Sequence, residues 1–178
     1  MNKWYLRFFV LVAMIGLGSC KKDNSGNRFD MIYPELYFTI PAGLNPFLIH
    51  FIEIRNIPLN KAFYFNQNNV QDPSSTRIQP RSARITSIFG DVDFEFIERI
   101  SVLVSSTENP NQYVEAYYRD PVPLNAGNFL DLIPTLLDLQ QIITTDSLNV
   151  RIRMQLRSPS PVFVESRLDY TFFGETEN

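Results

Sequence analysis

Chemistry-bearing residues are scarce in this chain. Its 178 residues include one cysteine and one histidine. A single cysteine excludes an internal disulfide, and one histidine beside it leaves no paired Cys/His spacing for a metal site. There is no G-x-S-x-G elbow and no glycine-rich phosphate loop. Basic residues are few as well. Setting aside Lys3 and Arg7 near the start, 14 basic residues face 19 acidic ones, a net charge near −5 that draws no nucleic acid. The longest uncharged apolar run, Phe8 to Leu17, stops at Arg7 and falls short of the ~20 residues a transmembrane helix needs.

What is present is apolar and aromatic. Apolar residues make up 44% of the chain and aromatics 13%, enough for the core of one domain and favouring strands over helices. Twelve prolines against seven glycines point to many edges and turns.

The first residues have three parts: the positive Lys3 and Arg7, the apolar run 8–17, and small residues at Gly18 and Ser19 before Cys20. That is the layout of a secretory signal. Leu17-Gly18-Ser19-Cys20 resembles a bacterial lipobox. The resemblance implies diacylglycerol on the Cys20 thiol, cleavage before it and acylation of the new amino group. Each buried acyl methylene contributes ~0.8 kcal/mol, so two or three chains anchor stably where one does not. Lys21 stands where an inner-membrane retention signal would have Asp, so the resemblance implies the outer membrane. The Cys-Lys-Lys-Asp start is similar to lipoproteins of the Bacteroidota, and cell surface and periplasmic face both stay open. The expected organisation is a signal over 1–19, a lipidated cysteine and tether over 20–28, and one domain over 29–178.

In that domain, strands are expected at 36–40, 47–54, 63–65, 83–89, 100–105, 113–119, 148–156 and 162–173. Leu148, Val150, Ile152, Met154 and Leu156 alternate inward against Asn149, Arg151, Arg153 and Gln155. Leu168, Tyr170 and Phe172 do the same against Arg167, Asp169 and Thr171. These last two strands are expected to pair as a hairpin, with Arg151 and Arg153 facing Glu165 and Asp169 in a charge ladder, or gripping an anion. Strands 100–105 and 113–119 form another hairpin around Asn109-Pro110. The broken alternation at 96–100 predicts a bulge or helical turn. Pro134 and the leucines after it predict one short helix over 134–142. The acid/apolar alternation over 91–96 reads as a charged edge strand or, less simply, three carboxylates for Ca²⁺. His50 reads as a half-buried strand residue. The expected fold is all-β, a two-sheet antiparallel sandwich, immunoglobulin-like, with that one helix.

No set of residues fills catalytic roles, so the chain is read as a non-enzyme. Its expected function is a lipid-anchored interaction or assembly module at the outer membrane with an envelope protein partner. The alternative is a surface module binding polysaccharide, for which Tyr113, Tyr117 and Tyr118 offer platforms and the polar stretch 66–76 offers Asn66, Asn68 and Asn69. The same stretch also reads as a plain surface connection. No metal or cofactor is expected. Replacing Cys20 tests the anchor: Cys20→Ala is expected to abolish metabolic labelling with an alkyne fatty acid and to leave the precursor uncut. A labelled, processed Cys20→Ala chain would contradict the lipobox.

Overall fold

Period-two burial dominates the computed structural model, which describes residues 27–90, 92–143 and 145–176. Leu17, Gly18, Ser19 and Cys20 lie outside the described residues. The elements are β1 (Arg28–Ile40), β2 (Ile49–Pro58), α1 (Lys61–Gln67), β3 (Thr76–Ser87), β4 (Ile97–Ser106), β5 (Val114–Arg119), β6 (Phe129–Pro134), β7 (Ser147–Leu156) and β8 (Val164–Thr176). Short 3₁₀ turns occupy Pro73–Ser75 and Phe94–Phe96.

The strands form one antiparallel sheet in the order β1-β8-β3-β6-β5-β4-β7-β2. β1 pairs with β8, β2 with β7, β3 with β6 and β4 with β5, while β4–β7 and β3–β8 pairs roll the ribbon up. Nested pairs rolled in this way are the topology of a jelly roll. An immunoglobulin-like order would put β1 beside β2; here β1 pairs with β8, at the other end of the described chain. The two four-stranded halves are continuous, because β6 pairs with β3 through Phe129–Leu132 and with β5 through Ile133 and Pro134. The sheet curls nearly into a barrel around a single core.

Bulges keep the apolar residues inside. In β1, Phe29, Met31 and Tyr33 point inward; the register shifts at Pro34–Glu35, with Glu35 at φ 66°, and Phe38 and Ile40 point inward on the opposite parity. β2 does the same around Asn56 (φ 57°), and β3 between Pro80 and Ser82. One extra residue flips every later side chain across the sheet, so each bulge corrects a sequence that changes parity. The bulge in β2 also buries Asn149, expected outside: its Oδ1 accepts from the Asn56 N–H at 3.1 Å and its Nδ2 donates to Ser105 Oγ at 3.3 Å.

β8 supplies the centre of the core. Tyr170 stacks on Tyr33 (centroids 5.1 Å apart, 19° between planes), and Phe172 lies 5.4 Å from Tyr170, 5.7 Å from Tyr33 and 6.2 Å from Tyr117. Gly174 sits opposite Phe29, and a Cβ there would fall 2.5 Å from the Phe29 ring. The phenols differ in their partners. Tyr33 donates to Leu59 O at 2.7 Å and Tyr117 to Thr171 O at 2.6 Å, beside the β3 bulge where Pro80 brings no N–H. Tyr170 Oη is buried with no hydrogen-bond partner among the described residues. Burial raises the pKa of all three phenols well above the ordinary tyrosine value.

Several expectations hold. The inward columns of β7 and β8 are as read, with Leu148, Val150, Ile152, Met154, Leu168 and Phe172 fully buried. β4 and β5 form the expected hairpin, a 3₁₀ turn precedes β4, and a register shift between Ile97 and Arg99 lies in its first residues. His50 is a half-buried residue of β2.

Others are corrected. The chain over 134–142 is no helix: β6 ends at Pro134, an irregular stretch follows, and the turn at 140–143 hangs on Leu139, whose N–H donates to Ile78 O at 2.7 Å. Leu130 and Leu132 alternate with Asp131 and Ile133 at the period of a strand, and the leucines beyond do not share a face, Leu139 being buried and Leu136 exposed. The helix instead covers Phe63–Phe65, where Phe65 packs edge-on against Phe29 and Phe63 faces solvent. β7 and β8 are not a hairpin, because each finds two other partners and the 157–163 link crosses from one half to the other. Residues 92–96 are not an extended edge; Phe94 and Phe96 both turn into the core. Asp91 lies outside the described residues.

Removing one hydroxyl at a time separates these phenols. Tyr117→Phe is expected to lower unfolding stability by about 1 kcal/mol through a lost hydrogen bond, while Tyr170→Phe is neutral or stabilising. Chemical denaturation of the two variants checks this; equal losses would contradict the assignment.

Candidate functional site

Strict antiparallel alternation sorts the connections to two poles. One pole carries both ends of the described chain, α1 and the 107–113 and 135–146 connections; Thr176 N–H donates to Asn27 O at 3.0 Å there. The other carries the links β1–β2, β3–β4, β5–β6 and β7–β8. The side chains on this second set of loops are unusually apolar and open. Phe47 is 92% exposed, Leu124 73%, Phe89 72% and Phe163 71%. Leu48, Val162 and Ile88 are exposed among them. Apart from Arg157, whose guanidinium is tied inward, these links carry no lysine or arginine.

The loops are bound to one another. Ser160, itself buried, donates its hydroxyl to Pro41 O at 2.6 Å and accepts from the Leu44 N–H at 3.0 Å, while Gly43 N–H donates to Ser160 O at 2.9 Å. Ile88 N–H donates to Glu165 O, and Ser87 and Phe94 N–H donate to Asn128 O and Gly127 O. Arg157 closes the set, with Nη1 on Glu95 O at 2.6 Å and Nη2 on Val122 O at 2.9 Å. Six of the twelve prolines fall in these links, fixing φ at each. The result is an apolar crown whose backbone is ordered before anything meets it. Clustered exposed apolar side chains of this kind mark an interaction surface.

The other sequence-predicted residues are dispersed. Tyr117 is fully buried and its hydroxyl is committed to Thr171 O, so it offers no platform. Tyr118 is half-exposed on β5, across the barrel from α1. Asn66 is an exposed residue of α1; Asn68 ends that helix with its Nδ2 on Tyr64 O at 2.8 Å and its carbonyl accepting from Asn27 Nδ2; Asn69 takes φ 53° in the turn after it. These amides finish a helix, and the structure does not bring them to the tyrosines. Arg151 and Arg153 do not meet Glu165 or Asp169. Arg151 pairs with Glu53 and lies 3.8 Å over the Tyr113 ring; Arg153 pairs with Glu115 at 2.8 Å. Hydrogen bonds from Arg55 and then Arg151 hold the Glu53 carboxyl below the ordinary glutamate range. Among the described residues no group of His, Cys, Asp and Glu is placed to hold a metal ion, and no helix is long and apolar enough to cross a membrane.

No protein-family model matches this sequence, and no curated protein matches it significantly. Neither the crown nor its ties are marked in the sequence by a motif. Phe47 reads there as the start of a strand, and Phe163 as part of one. The signal that was available is the coincidence of bulky apolar residues with proline pairs at 121–123 and 159–161.

Ser160→Ala is expected to raise hydrogen exchange at the Gly43 and Leu44 amides about tenfold, the equivalent of one lost hydrogen bond. Amides in the middle of β7 and β8 should be unchanged. Unaltered protection at Gly43 and Leu44 would show that Ser160 does not fasten the crown.

Proposed function

We propose that the protein is a lipid-anchored, non-catalytic interaction module of the outer membrane that presents its apolar crown to an envelope protein. The observation that carries this reading is the opposition of poles: β1 starts at one end of the barrel and the crown stands at the other. With Cys20 lipidated, the eight residues from Cys20 to Asn27 reach at most about 28 Å. β1 has thirteen residues and, at about 3.3 Å each and a tilt near 40°, rises about 33 Å. The tether is too short to let an upright barrel turn its crown back to the same leaflet. Apart from Arg157, which is tied inward, the crown's links carry no lysine or arginine to attract anionic headgroups, which peripheral lipid binders use beside their apolar residues. An ordered, apolar, non-basic surface fits a protein partner whose own patch is apolar.

Of the residues offered for the polysaccharide reading, Tyr117 is buried and Asn68 serves α1, while the exposed Asn66 and Asn69 stand apart from Tyr118. That reading finds no support at the crown.

Photo-crosslinking residues at Phe47 and Phe163 in the full chain, in intact cells, are expected to give a discrete higher-mass adduct. Phe89→Ser should weaken it, and the same probe at Asn69 should give none. Phe47, Phe89 and Phe163 are each exposed, so these changes should alter stability by no more than about 0.5 kcal/mol. Adducts at Asn69 alone, or at no position, would overturn the proposal.

A further inference from the structure

A cleft of about 510 Å³ lies on the outside of the barrel, away from both poles, where the bulges in β1 and β3 flank the unbulged middle of β8. The register sets its contents in rows. Asp169, Arg84 and Asp131 stand side by side on β8, β3 and β6, and in the next row Thr171 faces Ser82. One row the other way runs from Tyr37 through Arg167 and Thr86 to Phe129, with Tyr37 and Phe129 exposed at its ends.

The charges are already matched. Arg84 grips Asp131 with two hydrogen bonds, Nε to Oδ1 at 2.6 Å and Nη2 to Oδ2 at 3.0 Å. Arg167 Nε donates to Asp169 Oδ2 at 3.0 Å, and Asp169 Oδ1 accepts from the Glu35 N–H at 3.0 Å. Glu35 adds one more carboxylate, and the hydroxyls of Ser82 and Thr171 have no hydrogen-bond partner among the described residues. With both guanidiniums answered and one carboxylate in excess, the cleft repels an anion. A lining in which Ile32 and Pro34 are the main apolar side chains does not suit a greasy ligand. Paired guanidinium and carboxylate groups, however, offer donors and acceptors side by side, which is what neighbouring hydroxyls require. Tyr37 and Phe129 stand in the neighbouring row, outside the cleft's own lining, and the Phe129 face is covered by the Arg84 guanidinium at 4.6 Å.

We infer that this cleft binds a neutral, hydroxyl-rich ligand, a short stretch of uncharged polysaccharide. The inference does not depend on the lipid or on the crown. Sugar hydroxyls bridge Arg84 and Asp131, and the Ser82 and Thr171 hydroxyls meet the ring oxygens and hydroxyls facing the floor.

The test is calorimetric titration of the full chain with neutral tetrasaccharides (cellotetraose, maltotetraose and mannotetraose), an anionic one (tetragalacturonate) and a cationic one (chitosan tetramer). At least one neutral tetramer is expected to bind with a Kd of about 1 mM or tighter. Asp131→Asn and Ser82→Trp, at exposed positions, should each weaken it about tenfold or more, and the crown variant Phe47→Ser should leave it unchanged. Absence of binding by every neutral tetramer, equal or tighter binding of a charged one, or an affinity untouched by Ser82→Trp would overturn the inference.

Discussion

β8 is paired along its length on both sides, with β1 on one edge and β3 on the other, and the rest of the architecture depends on that arrangement. Joining the first and last strands forces the remaining pairs to nest inside one another. It also places Tyr170 and Phe172 against Tyr33 and Tyr117, so the aromatic centre of the core is made of residues far apart in the chain. The sheet must close around that centre, and the short steps at Pro34–Glu35, Asn56 and Arg81 are what let strands of imperfect alternation do so.

The same constraint distributes the surfaces. Eight antiparallel strands give two poles, and nesting means that one arch spans another at the crown: the β7–β8 link over the β1–β2 link, the β3–β4 link over the β5–β6 link. Ser160 and Asn128 stand where those arches touch. The ordering of the crown is therefore a consequence of topology and not of loop sequence alone. On the flank, two bulges on strands either side of β8 raise walls beside a straight strand, and a cleft follows.

What could be read from the sequence was local. The alternation over 148–156 and 168–172 has a period of two and no competing reading, so the inward columns were legible. The 3₁₀ turn before β4 was legible for the converse reason, that Phe96-Ile97 breaks the period. Partner choice was not legible. β7 and β8 look like a hairpin because they are adjacent, yet burial of both faces' apolar columns is satisfied only when each lies between two distant strands. Pro134 followed by leucines imitates a helix start, and the decisive facts, Leu139 reaching Ile78 and Thr135 reaching Ala116, are tertiary. Tyr117 looked like a platform because sequence does not say which side of β5 faces the core past the bulge at Ala116, opposite Val102 and Leu103. The cleft unites residues 35, 84, 131 and 169, which no spacing rule connects.

The central claim is the nested pairing itself, and engineered cysteines test it most directly. In a chain with Cys20→Ser, the outward pair Thr39→Cys and Glu165→Cys sits directly across β1 and β8, at the Cα separation of about 5 Å that a disulfide accepts. The pair Arg153→Cys and Arg167→Cys would be cross-strand neighbours only if β7 and β8 formed a hairpin. Mild oxidation is predicted to close the first pair quantitatively and leave the second as free thiols, read by thiol titration and mass spectrometry. Closure of the 153–167 pair with the 39–165 pair left open would contradict the account.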